Sequence, residues 1–307
     1  MSAQEIMALL IIALFMLIPL AMGAVAGKKS IPTTEDYFVQ GRGMGSVAVF
    51  FTVAATWWSA FAFMGSNSWF FLEGPLYWTA IAWNILFGIL YFVVGKKIWY
   101  FGKRNNLITP KDFFVLHYGS ETLGNIVAII CLVFTLPYLQ IQLSGGAYLI
   151  EVASNGMIPF WLAALLFYLV IIIYVWSGGL RAVAWTDIFY GVLLFFGMVF
   201  AGFYVVNIKE IGGVTNLFNY IQHHTPEKVI VGDNWMSWLS MFIITPIGSF
   251  MGPQLWTRMY ATKSGKLFNL MPFLLGLAAI AYVGSMLDGN SANILCPDIE
   301  QTDKILP

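Results

Sequence analysis

GSVAVFFTVAATWWSAFAFMGSNSWFFL, residues 45 to 72, is the stretch that decides the fold. From Gly43 to Phe71 the chain carries no charged side chain. Backbone amides in hydrocarbon must bond within their own segment, so an apolar run beyond roughly 20 residues reads as a membrane-crossing helix. The same run contains Gly65-Ser66-Asn67-Ser68, residues that a purely structural helix does not need. Such a cluster predicts a broken helix whose freed carbonyls and amides can meet an ion or a solute.

Working outward, the sequence offers about eight such segments: Ile6 to Ala26, Gly45 to Leu72, Tyr77 to Phe101, Leu123 to Ile150, Pro159 to Trp176, Trp185 to Val206, Trp235 to Tyr260 and Phe268 to Met286. The composition agrees, being 59% apolar and 10% charged with a mean hydropathy of +0.78. A soluble domain carries roughly 25% charged residues, so a soluble protein is excluded. Fifteen basic residues balance fifteen acidic ones, which gives no reason to expect nucleic acid as a partner. The first run is too long for a signal-peptide core, and its charges are reversed, with Glu5 before it and Lys28 and Lys29 after it. It reads as a helix that stays. Cys131 and Cys296 lack metal-ligand spacing and read as unpaired thiols.

Short cytoplasmic loops are enriched in Lys and Arg. Twelve of the cations, among them Lys28, Lys29, Lys96, Lys97, Lys103, Arg104, Arg181 and Arg258, fall on one side of the eight segments, and only Lys209, Lys228 and Lys304 on the other. The expected location is therefore the plasma (bacterial inner) membrane, multi-pass, with the N-terminus outside. Helix breakers recur at Pro137 and Gly145-Gly146 in the fourth segment and in TPIGSFMGPQ, Thr245 to Gln254, in the seventh. Trp69, Trp78, Trp99, Trp161, Trp176 and Trp235 fall near segment ends, where interfacial belting accounts for them.

GGLRAVAWTD, Gly178 to Asp187, closely resembles a signature of the sodium:solute symporter family, whose members carry proline, pantothenate, monocarboxylates, sugars and sialic acid. EDYFVQGRGMGS (35 to 46), LITPKDFFVLHYGS (107 to 120) and GPQLWTRMYATKS (252 to 264) resemble that family in the same order. The resemblance implies an all-α membrane fold of the leucine-transporter type: an inverted repeat of five plus five helices with one extra N-terminal helix. Residues 6–26 would then be the extra helix, 45–206 the first repeat and 235–307 the start of the second, all in one transmembrane domain. Members of the family continue with about five more helices, so the chain resembles the N-terminal portion of a longer carrier.

The resemblance also implies sodium as the coupling ion, with no other cofactor, and a small organic solute of the amino acid or monocarboxylate class. By motif position the sodium ligands would be the backbone carbonyls of Ala55 and Trp58, with Asp187 at a second ion position or on the release path. An N-cap role for the sixth helix would account for Asp187 equally well. Trp57 stands where some members carry an aspartate. Solute candidates are Trp58, Ser59, Phe63 and Met64 on the second helix, Gln142 and Ser144 on the fourth, and Ser249 and Phe250 on the seventh. Arg258 reads as a positive-inside anchor or as part of an inner gate. A transporter-like sensory domain of a signalling protein and a channel are the alternatives. An enzyme finds no HExxH and no nucleophile-base pair to support it.

Overall fold

The computed structural model describes residues 3–59, 61–300, 302 and 305, and for residues 3–5 and Met64 the backbone alone. Among the described residues there are helices and loops but no sheet. The α-helices are α1 (Ala3–Lys28), α2 (Thr34–Val39), α3 (Ser46–Trp57), α4 (Ser66–Glu73), α5 (Thr79–Leu90), α6 (Lys96–Arg104) and α7 (Pro110–Tyr118). There follow α8 (Glu121–Ala153), α9 (Phe160–Val206), α10 (Val214–His224), α11 (Trp235–Phe250), α12 (Pro253–Ala261), α13 (Met271–Ala278) and α14 (Ile280–Leu295).

Among the described residues, five helical segments are long and apolar enough to cross a bilayer, or six if the bent pair Ser46–Trp57 and Phe61–Leu76 is one span. The gap from the expected eight has two sources. The 47 residues of α9 would reach roughly 70 Å at 1.5 Å each, more than twice the hydrocarbon thickness. Gly179, with φ 53° and ψ −147°, breaks α9 where the sequence separates a fifth segment from a sixth. The expected seventh segment is divided into α11, of 16 residues, and α12, of nine, by a break at Met251–Gly252 within the breaker-rich stretch. The fourth segment corrects the reading of its own breakers, because α8 runs unbroken for 33 residues through Pro137, Gly145 and Gly146. A Cβ on Gly146 would stand 2.9 Å from the Phe167 ring, so this glycine serves close helix packing.

The chain forms two compact units. One contains the residues up to Val53, Ile98–Phe189 and Gly252–Ser264. There α1 lies along α8, and α2 packs on α12. The Thr33 hydroxyl caps α2 by accepting the Asp36 N–H, and a capping box of Thr109 and Asp112 starts α7. The other unit contains Ala54–Lys97, Tyr190–Met251 and the residues from Gly265 on. In it α5 packs against both α11 and α13, and α4 lies along α14. Here α9 crosses α14 at a pair of glycines, where a Cβ on Gly202 would stand 2.1 Å from the Gly284 carbonyl oxygen.

Candidate functional site

Helix α3 ends at Trp57 through a change of hydrogen-bond partner. An uninterrupted helix would give the Ser59 N–H to the Ala55 carbonyl. Here the Ser59 N–H bonds the Trp57 carbonyl at 3.0 Å, while the Trp58 N–H keeps its helical partner, the Ala54 carbonyl, also at 3.0 Å. The Ala55 oxygen thereby loses its helical donor. Helical winding resumes in a wide turn over Phe61–Gly65 and continues as α4. The Tyr282 hydroxyl donates to the Trp57 carbonyl at 3.3 Å and the Ser285 hydroxyl to the Ala62 carbonyl at 3.1 Å, so α14 braces the chain on both sides of the break.

Around this break stand Ala55, Trp58, Ser59 and Phe63. Trp58 is buried against Phe195, with ring centres 5.6 Å apart, and Ser59 and Phe63 are half-buried. Met64 belongs to the wide turn, but its side chain lies outside the described residues. Trp57 packs edge-on against Phe87 at 4.6 Å. Ser249 and Phe250 close α11 in the same unit, and Phe250 is buried on Tyr91 and Phe87 at 5.2 and 6.1 Å. Gln142 and Ser144, half-buried on α8, fall with Asp187 in the other unit. The two carbonyl ligands and the carboxylate expected for sodium thus belong to different units.

Asp187 sits inside α9, about two turns beyond Gly179, so it caps nothing. Its Oδ2 accepts the Thr52 hydroxyl and lies 3.4 Å from Arg258 Nη2. The rest of the Arg258 guanidinium is engaged as well: Nε donates to Thr52 Oγ1 at 2.7 Å and Nη1 to the Gln254 carbonyl at 2.8 Å. Arg258 is 9% exposed. An anchor at the membrane surface would keep its head in water, so the anchoring reading of Arg258 is corrected to a buried pair with Asp187. Thr52, which bonds both charges, carries no sequence signal beyond being a hydroxyl in an apolar run.

All four motif stretches fall in this unit and touch one another. Arg181 of GGLRAVAWTD pairs with Asp36 of EDYF at 2.8 Å, and a Cβ on Gly179 would stand 2.6 Å from the Tyr37 carbonyl oxygen. Burial raises the Asp36 carboxyl, but the Ile31 N–H, the Ser30 hydroxyl and Arg181 outweigh it and hold the group below the usual carboxylate range. Arg42 reaches Glu35 at 2.7 Å and donates to the Leu107 carbonyl at 3.1 Å, which joins the first stretch to LITPKDFF. The Met44 N–H bonds the Ala261 carbonyl at 3.0 Å, and the Phe113 ring meets Trp256 edge-on at 5.3 Å. The family model described as "Sodium:solute symporter family" matches residues 37–293.

The chain belongs to the sodium:solute symporter family. This family is one of transporters, and the present member is a multi-pass membrane protein. It is 27% identical over 96% of its length to the Bacillus subtilis symporter YhjB, and 28% identical over 89% to a sodium/pantothenate symporter of Haemophilus influenzae. It spans 61% and 57% of those two relatives, about three fifths of their length. Its fold matches that of a Na+-coupled sialic acid symporter solved in a substrate-bound outward-open state, with a TM-score of 0.84 at 20% identity, covering 98% of this chain and 65% of that one.

Proposed function

We propose that this symporter-family chain forms part of a secondary active carrier that couples sodium to the uptake of a small organic solute of the amino acid or monocarboxylate class by alternating access. The observation that carries this reading is the turned Ser59 N–H, which leaves the Ala55 carbonyl without its helical donor. A hard cation takes neutral oxygens of this kind at no cost in buried charge. Ala55 and Trp58 would ligate sodium through their carbonyls, with Asp187 at a second ion position. Trp58, Ser59, Phe63, Met64, Gln142, Ser144, Ser249 and Phe250 would line the solute path. The buried Asp187–Arg258 pair supports a structured ion path, and the names of the relatives, which include a pantothenate and a monocarboxylate carrier, support the solute class. The cation distribution supports a plasma-membrane protein with its N-terminus outside.

Uptake kinetics in the complete carrier test the solute path. A lost hydrogen bond to bound solute is worth about 0.5 to 1.5 kcal/mol, or about a two- to twelvefold weaker apparent affinity. Ser59→Ala and Gln142→Ala should each show this loss beside a control, Ser240→Ala. Unchanged kinetics in both variants would move the solute elsewhere.

A further inference from the structure

Helix α14 carries Asp288-Gly289-Asn290-Ser291 within the otherwise apolar segment Met271–Leu295. A carboxyl group inside a membrane span is expensive unless something compensates it. Asp288 is 4% exposed, its Oδ1 has no hydrogen-bond partner, and it forms no ion pair among the described residues.

The register of α14 fixes what Asp288 faces. One turn earlier, the Ser285 hydroxyl donates to the Ala62 carbonyl at 3.1 Å. At the next residue, a Cβ on Gly289 would stand 2.3 Å from the Asn67 carbonyl oxygen. One turn later, Ala292 packs in a buried cluster with Phe71. Residues three and four apart share a helix face, so Asp288 lies on the face that follows the chain from Ala62 through Asn67 to Phe71.

Asn67 is wholly buried there, and its side-chain Oδ1 also lacks a partner among the described residues. Its Nδ2 donates to the Ile305 carbonyl at 3.2 Å. Exchanging the amide nitrogen and oxygen would set two carbonyl oxygens against each other, so the orientation is fixed. The nearby Ser66 hydroxyl is engaged with Tyr77 at 3.0 Å and Ser68 with Thr302 at 2.6 Å. Two packed helices thus present a carboxylate oxygen and a carboxamide oxygen, both dry and both without a donor among the described residues. A buried acceptor left unsatisfied is costly, and a charged one more so, so these two oxygens call for a positive occupant.

We propose that Asp288 and Asn67 form a monovalent-cation site for sodium between α14 and α4, distinct from the ion positions at Ala55, Trp58 and Asp187. The site lies wholly within one unit of this chain. Its occupancy would tie α14, which braces the break at Trp58–Ser59, to α4 beyond the break. This inference rests on the reading of the protein as part of a sodium-coupled carrier.

Equilibrium binding of radioactive sodium to the purified complete carrier tests it. Asp288→Asn and Asn67→Ala should each lower saturating binding by about one sodium per chain relative to the unsubstituted protein. The exchanged pair Asp288→Asn with Asn67→Asp, which moves the charge to α4, should restore it, and this restoration distinguishes a ligand role from a loss of folding. Equal binding by the Asp288→Asn variant and the unsubstituted protein overturns this site alone, including the case in which Asp288 holds a proton. A loss on Asp288→Asn that the exchanged pair leaves unrestored overturns it as well. A carrier that binds no sodium at all overturns both this site and the proposed function.

Discussion

Replacing Arg258 with methionine keeps an unbranched stem in place and removes the guanidinium from Asp187. The structure sets the size of the loss. Arg258 makes three contacts: Nη2 to Asp187 at 3.4 Å, Nε to Thr52 at 2.7 Å and Nη1 to the Gln254 carbonyl at 2.8 Å. Its side chain is 10% exposed and that of Asp187 20%, so water replaces only a small part of the guanidinium's work. Breaking one partner of a buried pair costs about 3–5 kcal/mol, because the other charge stays behind uncompensated. At about 1.4 kcal/mol per factor of ten, Arg258→Met should reduce the ratio of folded to unfolded protein by about two to three and a half powers of ten. Adding Asp187→Asn removes the orphaned charge, and the double variant should recover all but about 1 kcal/mol per lost hydrogen bond. Denaturant unfolding of the four proteins in detergent, read as a double-mutant cycle, measures this. Additive losses, or an Arg258→Met variant within about 1 kcal/mol of the parent, would refute the buried-pair argument.

Gly179→Ala should destabilise the fold by at least about 1–2 kcal/mol, since φ 53° is a left-handed conformation and a Cβ would press on the Tyr37 carbonyl; a normal thermal midpoint would show that the break in α9 needs no glycine. Because the carboxyl of Asp36 is held below its unfolded value, its contribution to stability is present above the ordinary carboxylate range and lost as pH falls through it. Asp36→Asn should therefore flatten the acid side of the stability profile measured by thermal unfolding, and an unchanged acid limb would rule Asp36 out as its source. Cysteines at Ser2 and Asn105 report orientation: an impermeant thiol reagent on intact cells should label the first and spare the second, and the reverse pattern would invert the topology.

Hydrophobic length and breakers made most of the helices legible, though not the mechanism of each break. The second helix was expected to open at Gly65-Ser66-Asn67-Ser68, yet it opens before that cluster, at Trp58–Ser59, where a shifted amide and two hydroxyls from α14 do the work. No local residue type announces such a break. At Met251–Gly252 the signal is local: Pro253 starts α12, and its fixed φ and missing N–H suit a first helical turn. Pro137 misled, because α8 continues through it. The Asp187–Arg258 pair joins residues 71 apart in sequence, which only tertiary packing reveals. Asp288 was missed because its polar neighbours end the hydropathy run at Met286, whereas α14 continues to Leu295. Its signal was a lone acid beside an apolar segment.

Uptake of a labelled panel of amino acids and monocarboxylates into vesicles containing the complete carrier tests the central claim most directly. An inward sodium gradient should drive at least one of these solutes to accumulate above its external concentration, and replacing sodium with choline should abolish that accumulation. Equal uptake in choline, or entry that only equilibrates, would contradict sodium-coupled transport.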